Sequence, residues 1–129
     1  MSIATWKKKF YPINANNILL NTDAKMLKHS IKKWEGLLAK NLRQHTMSHS
    51  AGSGEIHQTD SFAVFPITGG TCALCCEYYN GIFNECTQCP IFKYLKTRIC
   101  SKEFNRWRNH NDPNPMLNLL KTVYKNNVS

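Results

Sequence analysis

The chain has 129 residues, with 17 Lys and Arg against 8 Asp and Glu, a formal charge of +9 and a pI near 9.4. Hydrophobic residues make up 42% of it, including three Trp, six Phe and five Tyr. That excludes a disordered basic tail and suffices for one modest core. No run approaches the ~18 apolar residues of a membrane-spanning helix, and no apolar stretch follows Lys7-Lys8-Lys9, so a secretory leader is not expected. Six Cys without a leader imply a reducing, cytoplasmic setting, where thiols bind metal more often than they pair.

Residues 1–22 read as an extended N-terminal segment, anchored by Trp6, Phe10 and Tyr11 and broken at Pro12. Thr22 or Asn21 can cap a helix whose first turn carries Asp23. The period predicts one amphipathic helix over 23–43, with Leu27, Ile31, Trp34, Leu38 and Leu42 on one stripe. Lys25, Lys28, Lys32, Lys33, Lys40 and Arg43 fall on the opposite face. Residues 44–60 are polar, with His45, His49 and His57, and read as a flexible loop. The apolar segment 61–67 reads as a strand that Pro66 confines to an edge or ends. A turn at Thr68-Gly69-Gly70 leads into the cysteines. Pro90 then opens a helix reaching about residue 99. C-terminal helices follow over 101–129: one from Ser101 with Phe104 and Trp107 inward, and one from Pro115 with Met116, Leu119, Leu120, Val123 and Tyr124 as its apolar face.

The charge is uneven along this order. Residues 1–43 hold nine Lys/Arg and two acids, a net +7. Residues 44–90 hold four acids and no Lys or Arg, a net −4, and residues 91–129 hold eight Lys/Arg and two acids, a net +6. Two basic arms flank an acidic middle. Lys outnumbers Arg by 13 to 4 and there are 14 Asn, a usage typical of A+T-rich coding.

The middle contains the sharpest motif, CALCCEYYNGIFNECTQCP. Cys72-x2-Cys75 and Cys86-x2-Cys89 are two CxxC pairs, and each such turn aims two thiolates at one ion. Four sulfurs suit tetrahedral Zn2+ in a structural role. Asn80-Gly81 between the pairs signals a hairpin. The expected fold is therefore a small α+β domain, 1–129, in which two knuckles on a short hairpin form a treble-clef-like or zinc-ribbon-like staple beside the basic helix. Cys76, adjacent to Cys75, would point away from the ion. Cys100 would lie about 15 Å off along a straight helix, and is a substitute ligand if that helix is short or turns back.

Other uses of the motif fit less well. The dense cysteine spacing of a ferredoxin cluster is missing, and a redox CxxC needs a βαβ setting. A treble-clef nuclease of the HNH type, dependent on a second metal, needs a His on the hairpin and a second ligand on the following helix. Neither stretch has a His, and His110 comes later, in a turn. No phosphate-binding glycine loop, GxSxG or HExxH is present. A non-enzymatic binding protein is expected, with Lys25, Lys28, Lys32, Lys33, Lys40, Arg43, Arg106 and Arg108 as partner-binding residues. The anionic partner is a nucleic acid or an acidic protein surface. Arg106-Trp107-Arg108 would suit base stacking if Trp107 were exposed, although a core position is the expectation for that ring.

From Lys32-Lys33-Trp34-Glu35 through CALC, CTQCPI and one further Cys downstream, the chain resembles a loose group of small cysteine-rich proteins of tailed bacteriophages. The likeness spans roughly residues 25–100; Cys76 and the His/Ser/Gly loop depart from it. It implies a zinc site, an infected bacterial cytoplasm, and action by binding a host protein, host defence proteins included.

Overall fold

The computed structural model describes residues 2–68, 71–78, 89–96 and 100–128. Their order is α1 (Ile3–Phe10), α2 (Asp23–Glu35), α3 (Ala39–Gln44), β1 (Met47–His49), β2 (Glu55–Gln58), β3 (Val64–Pro66), α4 (Ala73–Tyr78), α5 (Pro90–Leu95), α6 (Ser101–His110) and α7 (Asn114–Val128). Among the described residues these make an α+β fold of seven helices and one three-stranded antiparallel sheet.

The N-terminal segment is not extended. Ser2 and Thr5 close a capping box, with the Ser2 N–H donating to Thr5 Oγ1 at 2.9 Å, and α1 follows. Its buried residues are Trp6 and Phe10, one turn apart, a pattern that three successive lysines mask in the sequence. Trp6 is fully buried and donates from Nε1 to the Gly36 carbonyl at 2.9 Å.

That contact marks the break in the expected long helix. Thr22 caps α2 by accepting from the Lys25 N–H at 3.2 Å, as the sequence suggests. The helix stops after Glu35, and α3 starts three residues beyond Gly36. A Cβ on Gly36 would stand 2.6 Å from Phe10 Cγ, so only glycine lets α1 come this close.

The buried face of α2 also differs from the expected stripe. It comprises Met26, Leu27, His29, Ser30, Lys33 and Trp34, whereas Ile31 is half-buried. The helix is covered by α7 and by α4, so two adjoining faces are shielded and Lys33 lies between them. The expected flexible loop holds β1 and β2, paired from Met47↔Gln58 to His49↔Ile56. Gly52 takes φ 90° in the connection, a conformation that suits glycine. β3 pairs with β2 through Ile56↔Phe65 and ends at Pro66, in accord with the strand expected over 61–67. Ile56 and Phe65 turn inward, where Phe65 meets Trp6 at 5.4 Å and Tyr11 at 4.9 Å between ring centroids.

Pro90 is the first residue of α5, and both α6 and α7 form as anticipated. A second aromatic group joins α2 to α6: Trp34 and Trp107 meet edge-on at 5.5 Å, and Phe104 packs on both. No helix among the described residues is long and apolar enough to cross a membrane.

Candidate metal centre and basic faces

Three cysteines stand immediately before helices: Cys72 before α4, Cys89 before α5 and Cys100 before α6. Each opens its helix through the backbone, its carbonyl accepting from Cys76, Lys93 and Phe104 N–H groups at 2.9, 3.0 and 3.0 Å. Cys75 follows in the first turn of α4, so the first CxxC pair stands at a helix start. Cys86 and the Asn80-Gly81 turn lie outside the described residues, as do Gly69 and Gly70.

The short α5 decides where Cys100 goes. The helix ends at Leu95, short of the expected residue 99, and Lys96 takes φ 70°. Cys100 borders, together with Cys72 and Cys75, a cavity of about 180 Å³ roofed by Trp34, Phe104 and Met116. Cys76 borders a different space, the groove beside Ala15, Met26 and Glu77.

Electrostatics follow from this crowding. The Cys75 thiol donates to Cys72 and, helped by the Lys33 ammonium, holds Cys72 well below the usual thiol range despite its burial. Cys75 is pushed up, first by keeping that hydrogen bond and then by burial and the Cys72 charge. Burial raises Cys100 to about 12, with Cys72 and Cys89 adding repulsion. The thiols of Cys72, Cys75, Cys89 and Cys100 thus sense one another. None of the five described cysteines forms a disulfide. Among the described residues, no three His, Cys, Asp or Glu side chains are already disposed to hold a metal ion.

The basic residues divide. Lys25, Lys28, Lys32, Lys40, Arg43, Arg106 and Arg108 are exposed. Lys33 is not: it is 1% exposed and donates to the Thr71 carbonyl at 2.8 Å, which removes it from the partner-binding set. The sequence hid this because Ser30 and Lys33 interrupt the apolar face; Met26, Ser30, Lys33 and Leu37 nevertheless share its 3.6-residue period. Arg106 pairs with Asp112 at 3.6 Å, and Arg108 Nε donates to the Gly52 carbonyl at 3.3 Å. Trp107 between them is 1% exposed and stacks on His49 at 3.9 Å and 17°, so it presents no face to a base.

The three histidines of the 44–60 segment take separate positions. His45 is buried and pairs through Nδ1 with Thr5 Oγ1 at 2.9 Å. His49 Nε2 donates to the Ser53 carbonyl at 2.7 Å, and His57 sits on β2 opposite Ser48 and Val64. Searches against family models, curated proteins and solved structures gave no match.

Proposed function

We propose that the chain is a non-enzymatic, zinc-stabilised binding protein, of phage origin on its cysteine frame, whose basic exterior engages an acidic protein surface. The observation that supports the metal is that Cys72, Cys75 and Cys100 border one cavity, to which Cys89, the residue before α5, is added as the remaining described cysteine of the two CxxC pairs. These four would hold Zn2+, with Cys100 in the place that spacing alone would give to Cys86. Bound zinc would draw the sulfurs inward and tie α4, α5 and α6 together, supplementing a core of limited size.

A protein partner is favoured over nucleic acid by what the surface offers. Trp107, the aromatic that base stacking would have needed at the surface, is in the core as expected, while Phe62, Ile18 and Leu19 are 102%, 88% and 65% exposed. Exposed lysines with scattered large apolar anchors suit a protein interface, where charge steers the encounter and apolar residues hold it. Zinc-loaded protein used as bait in nuclease-treated bacterial lysate should retain a stoichiometric acidic protein. Retention that disappears on nuclease treatment would instead identify a nucleic-acid binder.

A further inference from the structure

Lys33 is a basic side chain in the core, 1% exposed on the inner face of α2, where burial by itself favours the neutral amine and the neighbouring sulfurs, Cys72 first, oppose that. Its ammonium donates to the Thr71 carbonyl at 2.8 Å. It borders the same cavity as Cys72, Cys75 and Cys100, and no carboxylate is among the described residues lining that space. A buried ammonium is strongly unfavourable unless an anion accompanies it. The groups of suitable chemistry at this cavity are sulfurs. One turn earlier, Ser30 is 0% exposed, borders the same cavity, and its Oγ has no hydrogen-bond partner. A buried hydroxyl without an acceptor is itself a rare and costly arrangement.

We propose that Lys33 and Ser30 are the outer shell of the zinc centre, Lys33 as counter-charge to the thiolates and Ser30 as hydrogen-bond donor to one of the sulfurs. Four thiolates on Zn2+ carry a net charge of about −2, and a buried ammonium offsets half of it. Thiolate sulfurs in an apolar cavity also lack donors, and the Ser30 hydroxyl supplies one. The inference rests on the zinc reading above. It gives a reason for two polar residues within the apolar face of α2, at positions where a plain helix-packing role would favour Leu or Ala.

The test uses the zinc-loaded full chain and follows zinc transfer to a chromogenic chelator in wild type, Lys33→Met, Lys33→Gln, Ser30→Ala and the exposed neighbour Lys32→Met. Lys33→Met and Lys33→Gln should release zinc about ten-fold faster or more, the usual consequence of losing an outer-shell partner. Ser30→Ala should show a smaller acceleration and Lys32→Met none. Lys33→Met in the stripped chain should unfold at or above the wild-type midpoint, because the sulfurs take up protons once zinc has left and the buried amine then has no anion beside it. Zinc release at the wild-type rate in both Lys33 variants would overturn the inference while leaving the zinc centre standing. A wild-type chain that takes up no zinc would fail one step earlier and overturn both.

Discussion

Gly36→Ala tests whether the α1–α2 junction is built as described. Gly36 has φ −64° and ψ −18°, ordinary helical values, so backbone conformation alone favours alanine. On propensity and unfolded-state entropy the substitution would stabilise by roughly 0.4–1 kcal/mol. The new methyl, however, would stand 2.6, 2.7 and 2.9 Å from three side-chain carbons of Phe10. Phe10 is 5% exposed and packs on Trp6 at 5.8 Å and His45 at 5.7 Å, so its ring has nowhere to go without moving both. Overpacking of this kind costs about 1–3 kcal/mol, and the Trp6 hydrogen bond to the Gly36 carbonyl would be strained with it. The net expectation is a loss of about 1–2 kcal/mol, because the steric cost exceeds the entropic gain. Urea unfolding monitored by tryptophan fluorescence measures it directly. A Gly36→Ala chain more stable than wild type would refute the close approach of α1 to α2.

Other consequences follow from particular residues. Trp107→Ala should destabilise by roughly 3–5 kcal/mol because a fully buried ring is removed from between α2 and β1. Phe62→Ala should leave the unfolding midpoint unchanged and weaken capture of the protein partner. His29 and His45 are both held below the usual imidazole value, chiefly by burial, with Lys33 adding to the effect on His29 and Lys9 to that on His45. Each therefore takes up a proton more readily unfolded than folded, so stability is full above about pH 6.5 and falls as the pH drops below it. Denaturant midpoints from pH 7.5 to 5 should show this decline, and His45→Gln should flatten it. Replacing Lys25, Lys28 and Lys32 together by Ala should reduce partner association at low salt, with little change in stability, as surface plasmon resonance beside a melting curve would show.

Sequence and structure agree where one signal dominated locally. The cap at Thr22, the strand end at Pro66 and the helix starts at Pro90 and near Pro115 all rest on residues whose chemistry acts within one turn. What escaped the sequence depends on distant partners. α1 exists because Trp6 and Phe10 find Gly36 and Phe65, some thirty and sixty residues away. The β1–β2 hairpin looked like a loop because its strands are three and four residues long and mostly polar. Its ends are held by Thr59 N–H donating to the Thr46 carbonyl at 2.9 Å and by His49 on Trp107. At the candidate site, spacing pointed to Cys72, Cys75, Cys86 and Cys89, whereas the positive φ at Lys96 that ends α5 has no glycine to announce it. The burial of Lys33 escapes for a related reason: lysine is the ordinary residue of an exposed helix, and this one is covered only because Thr71 accepts from it and α4 and α7 both pack on α2.

The central claim is a single zinc ion held by thiolates from the starts of α4, α5 and α6. Native mass spectrometry of the wild type, Cys72→Ser, Cys100→Ser and Cys76→Ser tests it most directly. One zinc per chain in the wild type and in Cys76→Ser, with loss of the metal and of cooperative unfolding in Cys72→Ser and Cys100→Ser, is the predicted result. A metal-free wild type, or a Cys100→Ser chain that keeps its zinc and its stability, would contradict the account.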